Sequence, residues 1–187
     1  MAPHFDDIAE KMRELEFRLS QMEEMHEKFI KAVYQDGQIN IRPFEGASGE
    51  IARRFRYEFA AYLSVHRTVR YYVIRKSGKI AGAKSWRGRI DDTPVLDALH
   101  HIRDIDIHDE IPEHATTVKV RGIQTGNPSV TIDPIGLAFE SLNQNRRFRN
   151  RDPALAYLHN RSVLDIARDG RAELARVLGE GRQRGFL

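Results

Sequence analysis

The stretch ALHHIRDIDIHDEIP, Ala98 to Pro112, places three histidines, one arginine and four acidic residues in fifteen positions. On a helix His101, Asp104 and His108 fall at i, i+3 and i+7 and share one face. Asp104 and His108 alone make an i, i+4 pair, in which the carboxylate can accept from one imidazole nitrogen, fix its tautomer and favour the protonated ring. Arg103 lies about 140° around such a helix from His108, an angle that a long guanidinium partly recovers, more so where a second chain shares the cleft. Imidazole and guanidinium together suit phosphodiester cleavage. The ring moves protons between an attacking 2′-hydroxyl and a leaving 5′-oxygen, while the arginine stabilises charge building on phosphorus. Two other readings stay open. His101, Asp104 and His108 suit a metal, with Glu58 or His66 from the preceding helix as a fourth ligand, although Arg103 would set a positive charge beside a ligating ring. The stretch also suits a charged solvent face with incidental histidines.

A second candidate is NRRFRNR, Asn145 to Arg151, where Arg146, Arg147, Arg149 and Arg151 interleave with one phenylalanine. That pattern fits contacts to an RNA backbone with one stacked base, and equally an exposed solubilising loop. Glu58 and His66 sit among aromatic residues, where a satisfied polar role in the core or an interface is expected. There is no glycine-rich phosphate loop, no G-x-S-x-G elbow and no H-E-x-x-H.

The elements that must carry these residues are mainly helical. From residue 5 to about 35, Phe5, Ile8, Met12, Leu15, Leu19, Met22, His26, Phe29 and Val33 step by three and four, the period of a coiled-coil seam broken only by His26. Gly37 is its expected C-terminal cap, and the segment packs either within the chain or across a dimer. After a loop at INIRPFEGASG with Ser48 as a candidate N-cap, residues 50 to about 77 form a second long helix. Its apolar face is Ile51, Phe55, Phe59, Tyr62, Leu63, Val69 and Val73, and Arg53, Arg54 and Arg56 cluster near its start. AGAKSWRGRIDDTP reads as a linker holding the one tryptophan, with Thr93 as N-cap and Pro94 at the first position of the next helix. TTVKVRGIQTGNPSVTID, residues 116–133, alternates Val118/Val120 and Val130/Ile132 around TGNPS and predicts a β-hairpin insertion over 115–133. IGLAFESLNQ is helical, and the rest of the chain forms a last helix or pair with a break at Gly170.

With 187 residues, no cysteine and no long apolar run, the chain is expected to form one cytoplasmic domain with neither disulfide nor membrane span. Met1 to Lys11 shows no secretory signal. Residues 1–50 carry 6 Lys/Arg against 11 Asp/Glu, and residues 51–187 carry 24 against 16. An acidic arm ahead of a basic body points to self-association, a polyanion partner, or merely a solvated surface.

RDIDIH, Arg103 to His108, resembles the R-x4-H motif of the HEPN superfamily, in which a polar residue often follows the arginine. Asp104 stands there in place of the commoner asparagine. FRYEFAAYLSVHRTVRYYV resembles the long second helix of small bacterial HEPN-like proteins, and the likeness spans about residues 50–110. It implies a HEPN-like helical bundle, and with the elements read above the expectation is a mainly α, HEPN-like bundle of four to five helices over residues 1–187, residues 1–37 being a long N-terminal amphipathic helix and 115–133 a β-hairpin insertion. It further implies a homodimer that joins two motifs at a shared cleft. Active members of that family are metal-independent endoribonucleases, often toxins or anti-phage components, which would make Arg103 and His108 catalytic and Asp104 their helper, with no cofactor. Other members bind nucleic acid or a partner protein without catalysis, and a metal-binding helical-bundle enzyme is the third alternative.

Overall fold

The computed structural model describes residues 5–35, 38–39, 46–108, 113–121, 129–137, 139–159 and 161–187. The first helix, α1 (Phe5–Val33), ends four residues before the expected cap; β1 (Tyr34–Gln35) and β2 (Gln38–Ile39) then pair antiparallel. Gly37 and most of the following loop lie outside the described residues. The second helix, α2 (Gly46–Ser77), starts ahead of Ser48 and is 32 residues long.

The three-four spacing of α1 is a core seam. Ile8, Leu15, Met22, Phe29 and Val33 are buried, and Met12 and Leu19 pack beside them. Their partner is α2, which runs antiparallel: Phe29 and Val33 near the end of α1 meet Ala52 near the start of α2. Of the two expected arrangements for α1, packing within the chain is the one found, because this face is covered by α2. His26, the break in the seam, lies 3.7 Å from the carboxylate of Asp133, a nearly buried residue of β4 (Ser129–Leu137).

Two helices follow α2 where one was expected. Residues 83–92 are not a linker but α3 (Ala83–Asp92). Ala83, Trp86 and Ile90, at i, i+3 and i+7, are its buried face. The Trp86 indole donates to the Val177 carbonyl at 3.0 Å, so the largest side chain of the core is also hydrogen-bonded. Thr93 finishes α3 rather than opening the next helix with its side chain: its hydroxyl donates to the Arg89 carbonyl at 2.6 Å. Then α4 (Pro94–His108) begins with Pro94, and the Asp97 N–H donates to the Thr93 carbonyl at 2.9 Å. Val95, Leu96, Ala98, Leu99, Ile102 and Ile105 bury one side of α4 against α2, α6 and α7.

β3 (Glu113–Arg121) pairs antiparallel with β4, setting Val118 opposite Ile132 and Val120 opposite Val130. The strands extend beyond 115–133 at both ends, and their connection, 122–128, lies outside the described residues. Ile135 to Leu137 belong to β4, so the helix expected over IGLAFESLNQ is confined to α5 (Phe139–Gln144). A 3-10 turn, Arg146–Phe148, leads to α6 (Asp152–Leu158) and α7 (Val163–Gln183). The described residues thus hold seven α-helices rather than four to five. The final pair divides at His159–Ser162, where the Ser162 side chain caps α7 by accepting from Asp165 N–H.

Gly170 does not break α7. A Cβ there would collide with the Leu99 side chain and come within 3.3 Å of the Tyr62 hydroxyl, so the glycine lets α7 approach α4 and α2. Gly181 does the same against the Trp86 ring, whereas Gly179 has nothing within 4 Å. Two glycines of one helix, two residues apart, therefore predict opposite outcomes. Gly181→Ala lowers unfolding stability by about 1–3 kcal/mol through overpacking, while Gly179→Ala is neutral or raises it by up to about 1 kcal/mol. Urea unfolding of both variants checks this, and equal effects would contradict it.

Candidate functional site

The polar side of α4 faces α2 and the 3-10 turn, and its side chains form two small sets. Asp104 accepts from the Arg67 guanidinium of α2 at 3.1 Å and lies 3.8 Å from the His100 ring one turn earlier. Asp97 accepts from Arg151 at 3.1 Å and lies 3.2 Å from Nε2 of His101. The His100 and His101 rings are 5.2 Å apart, and His101 meets the edge of Phe148 at 5.7 Å. Thus His101 and Asp104, placed on one face by their spacing, take different partners: His101 turns to Asp97 and Phe148, and Asp104 to Arg67 and His100.

Behind His100 stands His66 of α2, only 1% exposed, its ring stacked on Tyr62 with a 6.4 Å separation. Tyr62 donates its hydroxyl to the Ala167 carbonyl at 2.7 Å and so anchors α2 to α7. Nε2 of His66 and Nδ1 of His100 are buried and meet no hydrogen-bond partner among the described residues. Burial pushes His66 down to about 3, with charges on His100 and Arg70 acting in the same direction. Burial also pushes His100 down to about 4, aided by Arg70 and opposed by Asp104. His101 is lowered as well, mainly by burial, although Asp97 pulls it back. At neutral pH this is a set of uncharged imidazoles set among arginines and carboxylates.

Of the expected catalytic residues, Asp104 is fixed at the seam and Arg103 is half-buried beside it on α4. The backbone of α4 continues to His108, whose side chain lies outside the description. Of the expected metal ligands, Glu58 is bound to Arg18 of α1 at 3.1 Å, two turns along α2 from His66. Among the described residues no group of three or more His, Asp or Glu side chains is placed to hold a metal ion.

The basic segment divides in the same way. Phe148 is 1% exposed and belongs to the core, so it is no stacking platform for a base. Arg151 is tied to Asp97, Arg147 is half-buried, and Arg146 and Arg149 are exposed. The sequence reading missed His100, Arg67 and Arg70. The signals available were the i, i+4 relation of His100 to Asp104 and the i, i+1, i+4 run His66, Arg67, Arg70 on α2.

The lowered histidines link the site to stability. Unfolded, each ring binds a proton near its ordinary value of about 6.5. Folded, His66 and His100 resist protonation until about 3 and about 4. Their contribution is therefore fully present above pH 6.5 and is lost as pH falls from 6.5 toward 4, at up to about 1.4 kcal/mol per pH unit for each ring. Thermal unfolding across pH 7 to 4.5 is expected to show a falling Tm, with a shallower fall in His66→Phe. Equal slopes in the two proteins would overturn this assignment. Compared with known proteins, the chain matches no family model, no curated protein and no solved structure.

Proposed function

We propose that the chain is a metal-independent endoribonuclease acting through the end of α4. Arg103 binds the scissile phosphate, His108 moves the proton, and Asp104 positions the pair, in a homodimer that joins two such sites. The observation that supports this reading is the Arg67–Asp104 contact with His100 beside it. It supplies a carboxylate of fixed orientation on the helix that carries Arg103 and His108, with neutral imidazole and guanidinium groups around it. Acid–base transfer and stabilisation of a phosphorane-like charge call for those groups in one place. A second reading, RNA binding without turnover, is favoured by the exposed Arg146 and Arg149 on the neighbouring turn.

Cleavage of a labelled structured RNA in EDTA separates the two. Arg103→Ala and His108→Ala are each expected to lose roughly 10²- to 10⁴-fold in rate with Tm unchanged, and Asp104→Asn to lose less. Wild-type rates in both alanine variants would remove the assignment. Salt-sensitive binding with no turnover in any of the proteins selects the second reading.

A further inference from the structure

The segment after α5 forms a polar hollow that the chemistry of α4 does not use. Asn143, Gln144, Arg146, Arg149, Asn150 and Asp152 line a cleft of about 340 Å³, near the small end of the roughly 300–1,000 Å³ typical of ligand pockets. Phe148 and Leu155 also line it, and both are buried, which gives the cleft an apolar floor. Asn150 holds a φ of 64°, in the left-handed region that asparagine enters more readily than other side chains. That bend brings residues 143–146 and 149–152 around one hollow.

The charges in it stay apart. Arg151 is committed to Asp97 and Arg168 to Glu23. The side chains of Arg146, Arg149 and Asp152, by contrast, share the cleft without forming an ion pair among the described residues.

The mixture of groups selects the ligand. A bare anion is held by donors alone, but the amides here offer donors and acceptors side by side, and Asp152 only accepts. A nucleobase edge is a planar array of both kinds, and the guanidiniums suit the phosphates on either side of it. We infer that this cleft binds one base of single-stranded RNA and that the base is guanine. The guanine N1–H and N2 amino group are two adjacent donors that match the two oxygens of Asp152, and no other common base presents that pair. The cleft is joined to α4 through Phe148 on His101 and Arg151 on Asp97, two and six residues ahead of Arg103. The inference takes RNA as the ligand from the proposed function but does not depend on cleavage.

Fluorescence anisotropy of the full chain tests it. The probes are labelled oligouridylates with one central guanosine, inosine or uridine, blocked against cleavage by 2′-methoxy groups. The guanosine probe is expected to bind about tenfold more tightly than the inosine probe, which lacks the N2 amino group. Asp152→Asn is expected to abolish that difference with Tm unchanged, while Arg146→Ala and Arg149→Ala weaken all three probes alike. Equal affinity for the three probes, a guanosine preference that survives Asp152→Asn, or no binding at all would overturn the inference. Selective binding without cleavage of unblocked RNA leaves it standing and removes the ribonuclease reading. Cleavage without base preference does the reverse.

Discussion

Much of this protein depends on the seam where α2 meets α4, because that seam buries polar groups and must either pair them or keep them uncharged. Val69, Leu99 and Ile102 supply apolar contact, but His66, Arg67, Arg70, His100 and Asp104 occupy the same region. A carboxylate left alone at 17% side-chain exposure would cost a few kcal/mol. Arg67 removes that penalty and in doing so fixes the orientation of the helix that ends at His108. The imidazoles meet the same constraint differently, by staying uncharged beside the arginines. Structure and candidate chemistry thus share one set of side chains.

The division between an acidic first helix and a basic remainder has a partial explanation inside the molecule. Glu16 and Glu23 of α1 pair with Arg171 and Arg168 of α7, and Arg18 of α1 pairs with Glu58 of α2. Each exposed pair is worth only about 0–1 kcal/mol, so these contacts set orientation more than stability. The apolar seam of α1 holds it in place. The arginines around α5 and α6 are less fully matched by carboxylates, and there the basic excess faces outward.

What was legible from residues alone follows from the physics of each signal. The α1 and α2 faces were readable because regular apolar spacing over about thirty positions averages out exceptions such as His26. The α3 helix was missed because glycines at 82 and 88 and the polar run around Trp86 outweigh three apolar positions, although those three bury the largest side chain in the core. Gly170 read as a break, yet its role, like that of Gly181, is close approach, which depends on Leu99 and Trp86, remote in sequence. Phe148 looked like a stacking residue among arginines. Its burial depends on α4 and α6 and leaves no local trace. For the site, Asp104 was identifiable by its neighbours in sequence, but its partner Arg67 lies 37 positions away. His100 was hidden beside His101, since adjacent histidines point about 100° apart and spacing alone does not say which faces the seam.

The most direct test of this account is the titration of the individual histidine rings by NMR in the intact protein between pH 7.5 and 4.5. The structure predicts that His66 remains neutral over the whole interval and that His100 begins to take up a proton only near its lower end, both held so by burial and by Arg70. Titration of either ring near the ordinary value of about 6.5 would contradict a dry, arginine-flanked seam, and with it the view that α4 presents a preorganised site.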